Sequence, residues 1–214
     1  MPQDGANATA PAQRSLNAPS ILDAIRGAAR SAHLRVEASL PMRRLISSDY
    51  TEREYVRHLC DLLGFYEPFE AALAAGNAGV KAPISPSRSR LLRRDLAKLG
   101  LTPAQVKALP RCGELPAVAG AGFFGCLYVY EGAALGGQVI ARRLRQSLGP
   151  TQSFAFYHGN AQRIARHWKA FCAYLDTREA DSLAAVCASA VAVFDAFEQW
   201  FEMRSQSTAM EVNP

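Results

Sequence analysis

The sequence has no uninterrupted apolar run of the roughly 18 residues that a membrane-spanning helix requires. Residues 1–15 also lack the apolar centre and basic flank of a secretory signal. The five cysteines are odd in number and form no C-x-x-C pair, a pattern typical of scattered thiols in a reducing compartment. We therefore expect a cytoplasmic protein that does not enter a membrane.

Recognised nucleic-acid motifs are absent as well, and the arginines are spread over several segments of the chain. Lys and Arg number 24 against 19 Asp and Glu, which leaves a formal net charge of +5. A basic excess of this size suits an anionic ligand or an acidic protein partner. We expect no nucleic-acid partner.

Neither the strict alternation of a β-strand nor an internal repeat is found, whereas apolar residues recur at helical spacing in almost every segment. The hydrophobic content of 49% is that of a folded chain. The sequence therefore predicts a single all-α domain, a helical bundle over residues 21–203. Residues 1–20 are predicted to be a disordered tail and residues 204–214 a mobile tail.

Capping and helix-breaking residues predict several helix boundaries. Ser20 with Asp23, and Thr51 with Glu54, have the spacing of a capping box and should each open a helix. Three more boundaries are predicted: the first helix closes at Pro41, the glycine-bearing helix opens at Pro116, and the last helix runs from about Arg178 to Met203.

The stretch from Gly122 to Leu144 is a long helical pattern interrupted by Gly132, Gly136 and Gly137. Each glycine costs roughly 1 kcal/mol against alanine in a helix interior, so the three together cost about 3 kcal/mol. Gly132 and Gly136 are four residues apart and share one helix face, which leaves a trough without side chains. This trough could pack closely against another helix, or it could lie over a planar ligand.

His33 has Glu37 four residues later on the same helix face, so the carboxylate could orient the imidazole as a neutral metal ligand. The alternative is a half-buried histidine that simply pairs with a local acid. The sequence has no H-x-x-x-H or E-x-x-H pair for a zinc or di-iron centre. A single histidine would suffice for a cofactor that brings most of its own ligands, such as haem.

Three segments resemble haem oxygenases. ARSAHLRVEASLPM resembles the helix that carries their proximal histidine, and LYVYEGAALGGQVIARRL resembles their glycine-rich distal helix. FYHGNAQRIARHWKAF is similar to a segment of the bacterial branch associated with bacteriophytochromes, whose distal motif is close to Y-V-L-E-G-S-x-L-G-G. The resemblance covers roughly Ile21 to Asp176 and implies a helical bundle of the haem oxygenase type.

This resemblance implies roles for the residues singled out above. His33 would be the axial ligand of the haem iron, with Glu37 as its orienting neighbour. Gly132 and Gly136 would let the distal helix press against the haem face, and Gly137 would permit a kink in that helix. Five further residues are implied around the ring: Arg26, Arg30 and Lys169 as partners of the propionates, and Tyr130 and Phe156 as pocket walls.

The implied activity is the oxidative opening of haem to biliverdin, with release of carbon monoxide and iron. The reaction would consume O2 and electrons from an external donor such as a ferredoxin or a flavin reductase, and a bacteriophytochrome is an expected acceptor of the product. One departure from the family is Ala133, which stands where mammalian-type enzymes carry an aspartate that holds a proton-delivering water network. His158 is a candidate substitute for that aspartate.

Two other functions remain open on the sequence. The departure at Ala133 allows a protein that stores or senses haem without opening the ring. A helical hydrolase of the thiamin-degrading type has a similar architecture, but its cysteine nucleophile and acidic partners have no convincing counterpart here.

Overall fold

The computed structural model describes residues 20–77, 80–149, 154–158, 161–177 and 182–211. These residues form eight helices and no strand, which confirms the all-α prediction. In chain order the helices are α1 Ile21–Ala38, α2 Leu40–Leu45, α3 Glu52–Gly76, α4 Arg88–Lys98, α5 Pro103–Ala108, α6 Gly122–Leu148, α7 Ala161–Asp176 and α8 Leu183–Glu211. The predicted tail at residues 1–20 falls almost wholly outside the described residues.

The capping residues open their helices as predicted. The Ser20 side chain accepts a hydrogen bond from the backbone N–H of Asp23 and caps α1. Thr51 and Glu54 form a complete capping box at the start of α3, because each side chain bonds the other residue's backbone N–H. These bonds satisfy amide groups that have no partner inside the helix.

Three predicted helix boundaries are wrong, and two of them were placed at prolines. Pro41 lies in the first turn of α2, where its missing N–H costs nothing, so the chain turns into a new short helix after Ala38. Pro116 does not open α6, which begins at Gly122. The preceding connector is held instead by α3, since the N–H of Cys112 donates to the carbonyl of Gly64 at 2.9 Å.

The last helix also differs from its prediction, because α8 continues to Glu211 instead of ending near Met203. Residues 204–211, predicted as part of a mobile tail, are helical. Arg204 explains this extension, since its Nε donates to Oδ1 of Asp61 on α3 at 2.8 Å. The bond anchors a turn of helix that carries few apolar residues.

The core forms where α6 and α8, and α1 and α8, pack most extensively. Helices α6 and α8 pack closely at Gly125, where a Cβ atom would lie 2.0 Å from the carbonyl oxygen of Val186. Close helix packing therefore uses a glycine about two turns before the predicted trough. Gly132 and Gly136 do not make this close contact with α8.

Among the described residues, one stretch, Leu183–Ser207 of α8, is long and apolar enough to cross a membrane by length and composition alone. In the fold, α8 has Val186, Ala190 and Val193 in the core and an ion pair from Asp195 to Arg35 of α1. In this fold 28% of that apolar window is buried, so α8 contributes to the core along one face.

Candidate functional site

A cavity of about 850 Å³ lies between α1, α6 and α8, with α3, α7 and residues 156–157 closing its remaining sides. Apolar and aromatic side chains form most of its wall, and a small number of polar groups face it. This combination is typical of a site for a flat, largely apolar ligand.

The α1 side of the cavity carries His33 and Glu37. Nε2 of His33 is 3.5 Å from Oε1 of Glu37, and the two side chains are about half exposed, at 52% and 60%. The ring of Phe194 on α8 packs against the imidazole, with 5.2 Å between centroids. The histidine is therefore accessible from the cavity and flanked by a carboxylate and an aromatic ring.

The α6 side carries Gly132, Ala133 and Gly136. A Cβ atom on Gly136 would meet nothing within 4 Å, so this glycine faces open space. A Cβ atom on Gly132 would be in ordinary contact with the ring of Trp168, at 3.5 Å. The two glycines thus leave bare backbone on the wall, although Trp168 covers part of it.

Gly137 packs against Tyr157 and does not face the cavity. It is not among the lining residues, and a Cβ atom there would lie 3.1 Å from the carbonyl oxygen of Tyr157. This glycine permits close packing of α6 against residues 154–158. That role is separate from the kink expected from the sequence.

Tyr130 and Phe156, for which the resemblance implies a role as pocket walls, both line the cavity. Tyr130 donates a hydrogen bond to Oε1 of Glu70 at 2.8 Å, and burial raises the pKa of its phenol. Phe156 is held in place through its backbone, because the buried carboxylate of Asp95 accepts from the N–H groups of Ala155 and Phe156 at 3.1 and 2.8 Å.

Arg26 and Arg30 also line the cavity, one helical turn apart on α1. Lys169, the third basic residue predicted for the site, is exposed on α7 and is not among the lining residues. His158 is exposed as well and hydrogen-bonds Arg145, outside the cavity lining. The structure therefore brings together eight of the ten predicted residues (His33, Glu37, Arg26, Arg30, Tyr130, Gly132, Gly136 and Phe156) and leaves out Gly137 and Lys169.

Sequence reasoning missed several lining residues. Phe194 of α8 and Trp168 of α7 were assigned to helices but not to the site, since an aromatic residue at helical spacing gives no sign of whether it faces a core or a cavity. Tyr157, which lies outside the helices, was also missed. The prediction of its neighbour Phe156 as a pocket wall could have pointed to it. Among the described residues, no three His, Cys, Asp or Glu side chains cluster as a metal site.

The described helices thus enclose one cavity whose wall carries a histidine on α1 and bare glycine backbone on α6. The family model described as Heme oxygenase matches residues 20–203, and the chain belongs to the haem oxygenase family.

Solved structures agree with this assignment at the level of the fold. Haem oxygenase from Leptospira interrogans is 18% identical with a TM-score of 0.64, over 86% of this chain and 98% of that one. Haem oxygenase-1 from the cyanobacterium Synechocystis sp. PCC6803, solved in complex with haem, is 14% identical with a TM-score of 0.62, over 91% and 98%. No curated protein sequence matches the chain at a significant level.

Proposed function

We propose that this protein is a biliverdin-producing haem oxygenase, which opens the haem ring with O2 and external electrons and releases carbon monoxide and iron. The observation that carries the proposal is that His33 of α1 and Gly136 of α6 line the same cavity. When bound, haem would supply the redox-active iron and would itself be the substrate that is oxidised.

The residues present fit a haem. His33 offers an imidazole without a buried competing partner, and Gly136 leaves open space that any Cβ would reduce. The cavity of about 850 Å³ falls within the range of small-molecule and cofactor sites. His33 would hold the haem iron, and Glu37, whose Oε1 lies 3.5 Å from Nε2 of His33, would orient the imidazole.

Arg26 and Arg30 are the proposed partners of the haem propionates. Both are on the wall that carries His33, and guanidinium groups bind carboxylates through paired hydrogen bonds. Arg26 also contacts Oδ1 of Asp23 at 3.4 Å. Because this ion pair is exposed and therefore weak, a haem propionate could replace Asp23 as the partner of Arg26. Fixing the propionates would set the rotation of the ring, and with it the carbon bridge that reacts.

We further propose that the protein belongs to the branch associated with bacteriophytochromes, on the basis of its YVYEGAALGG segment. A bacteriophytochrome would then receive the biliverdin. The electron donor would be an acidic ferredoxin or a flavin reductase, in keeping with the net charge of +5. High salt should then slow turnover driven by such a donor and leave turnover driven by ascorbate unchanged.

Ala133 favours a second function, haem storage or sensing without ring opening. Ala133 lines the cavity beside Gly132 and supplies no acid side chain there, so proton delivery would depend on water or on another group. The thiamin-degrading alternative lacks support, since none of the five cysteines is among the residues that line the cavity.

The test is to add hemin to the purified protein, record the visible spectrum, and then add ascorbate or a reductase system. A Soret band that decays to the absorption of biliverdin supports the oxygenase, whereas a stable band supports storage or sensing. His33→Ala should abolish the spectrum of axial histidine ligation, and His158→Ala, which changes a histidine outside the cavity, should leave it intact. A spectrum unchanged in His33→Ala would refute the assigned ligand.

A further inference from the structure

Glu131 is a buried acid in the middle of the glycine-rich segment, and the proposed reaction gives it no role. Its side chain is 0% exposed. One carboxylate oxygen accepts from the backbone N–H of Ser85 at 2.7 Å, and the other accepts from the Ser85 hydroxyl at 2.5 Å and lies 2.8 Å from Nε2 of His167. A buried carboxylate is costly unless it is hydrogen-bonded, so these contacts fix three chain segments against one another.

These segments meet only in the folded chain. Ser85 precedes α4, Glu131 is on α6, and His167 is on α7. We call these three residues the Glu131 cluster. Two of its members come from the segments that resembled the phytochrome-associated enzymes, YVYEG and ARHW, which gives those segments a shared physical contact.

His167 is followed directly by Trp168, whose ring covers part of the α6 wall. Ring atoms of Trp168 would lie 3.5 and 3.6 Å from a Cβ on Gly132, and its centroid is 5.5 Å from that of Tyr128. The buried residues of α7, Phe171 and Leu175, lie beyond Trp168, and the first six residues of the helix are largely exposed. The contact between His167 and Glu131 therefore holds the first half of α7, which ends at Trp168, against α6.

We propose that the Glu131 cluster holds Trp168 against Gly132 and thereby sets how much room the α6 wall leaves for a ligand on that side of the ring. His167, Glu131 and Ser85 are positioning residues in this proposal, because they act on the cavity through Trp168. The consequence for haem rests on the proposed function, whereas the placement of Trp168 does not.

The first experiment uses the protein without haem. Trp168→Phe identifies the part of the tryptophan emission that belongs to Trp168, since the other tryptophan, Trp200, is buried in the core. His167→Leu removes the donor to Glu131 and should red-shift the Trp168 emission and raise its quenching by acrylamide about twofold or more, because a lost charge-assisted bond shifts a local equilibrium by on the order of tenfold. His167→Gln retains a donor and should restore the wild-type emission.

The second experiment adds hemin and compares two ferric ligands of different size, azide and imidazole. His167→Leu should strengthen imidazole binding on the order of tenfold and leave azide binding within about twofold, if the change adds room and nothing else. The spectrum of axial ligation by His33 should not change. Ser85→Ala, which removes one bond to Glu131, provides a milder variant should His167→Leu fail to fold.

Unchanged Trp168 emission in both His167→Leu and Ser85→Ala would overturn the proposal, as would an equal change in azide and imidazole binding. A failure of the wild-type protein to bind hemin would count against the proposed function alone. In that case the emission of the haem-free variants still decides whether the Glu131 cluster positions Trp168.

Discussion

Nε2 of His58 lies 2.5 Å from the hydroxyl of Tyr157, and both side chains are buried. His58 is on α3 and Tyr157 lines the cavity, so this bond joins the core to the residues that close the site. Burial lowers the pKa of His58 from 6.5 to about 3, because the imidazolium would lose its hydration. His58 is therefore neutral in the folded protein.

The stability of the protein should fall on acidification because of His58. In the unfolded chain the imidazole binds a proton below about pH 6.5, whereas the folded chain resists protonation until about pH 3. The contribution of His58 is fully present above pH 6.5 and is lost across this window at about 1.4 kcal/mol per pH unit. Urea denaturation at several pH values between 7 and 4 measures the slope.

His58→Leu should flatten that slope by the equivalent of about one proton. His158→Leu is the matched control, because it removes an exposed histidine outside the core, and the slope attributed to His58 should remain in it. Equal slopes in His58→Leu and the wild-type protein would show that His58 is not kept neutral by burial.

Two glycines of α6 should respond in opposite ways to replacement by alanine. Gly136 faces open space, so Gly136→Ala should raise the free energy of unfolding by about 0.5–1 kcal/mol through helix propensity. Gly125→Ala should lower it by about 1–3 kcal/mol or more, since the new methyl group would meet the carbonyl of Val186. Thermal or urea unfolding of the haem-free proteins separates these outcomes.

A larger side chain at Gly136 tests whether α6 covers the haem. Gly136→Leu would project into the cavity, and we expect a folded protein with weakened hemin binding or blocked turnover. Hemin titration followed by the ascorbate assay checks this, with Gly136→Ala as the smaller step. Unchanged turnover in Gly136→Leu would mean that α6 does not cover the haem.

The sequence predicts the helices better than it predicts the site. Periodicity and capping residues such as Thr51 act locally, and the structure confirms the helices that they open. The end of α8 could not be predicted, because it depends on Arg204 meeting Asp61, which is 143 positions away. The roles of Gly125 and Gly136 could not be separated either, since both are helix glycines and only the packing of α8 distinguishes them.

The Arg204–Asp61 pair makes the end of α8 a stabilising element. Burial raises the pKa of Asp61, and the hydrogen bond from Arg204 opposes that rise, so the carboxylate depends on its partner for charge. Arg204→Ala or truncation after Met203 should lower the free energy of unfolding by about 2 kcal/mol. This is less than the loss on breaking a fully buried ion pair, because Arg204 is partly exposed. Truncation after Ser207 keeps Arg204 and serves as the control; an equal loss there would contradict this account.

Arg26 and Arg30 should contribute to haem affinity through charge, and Lys169 should not. Replacing both arginines by glutamine removes the cations from the cavity wall and should weaken hemin binding on the order of tenfold or more, as expected for two partly exposed carboxylate contacts. Lys169→Gln changes the net charge outside the cavity and should leave the affinity within about twofold. Titration at low and high salt measures both effects, and the difference between the variants should persist at high salt because paired hydrogen bonds are screened less than distant charges. If Lys169→Gln weakened binding as much as the double variant, a general attraction between a basic protein and an anionic ring would explain the affinity, and the two arginines would lose their assigned role.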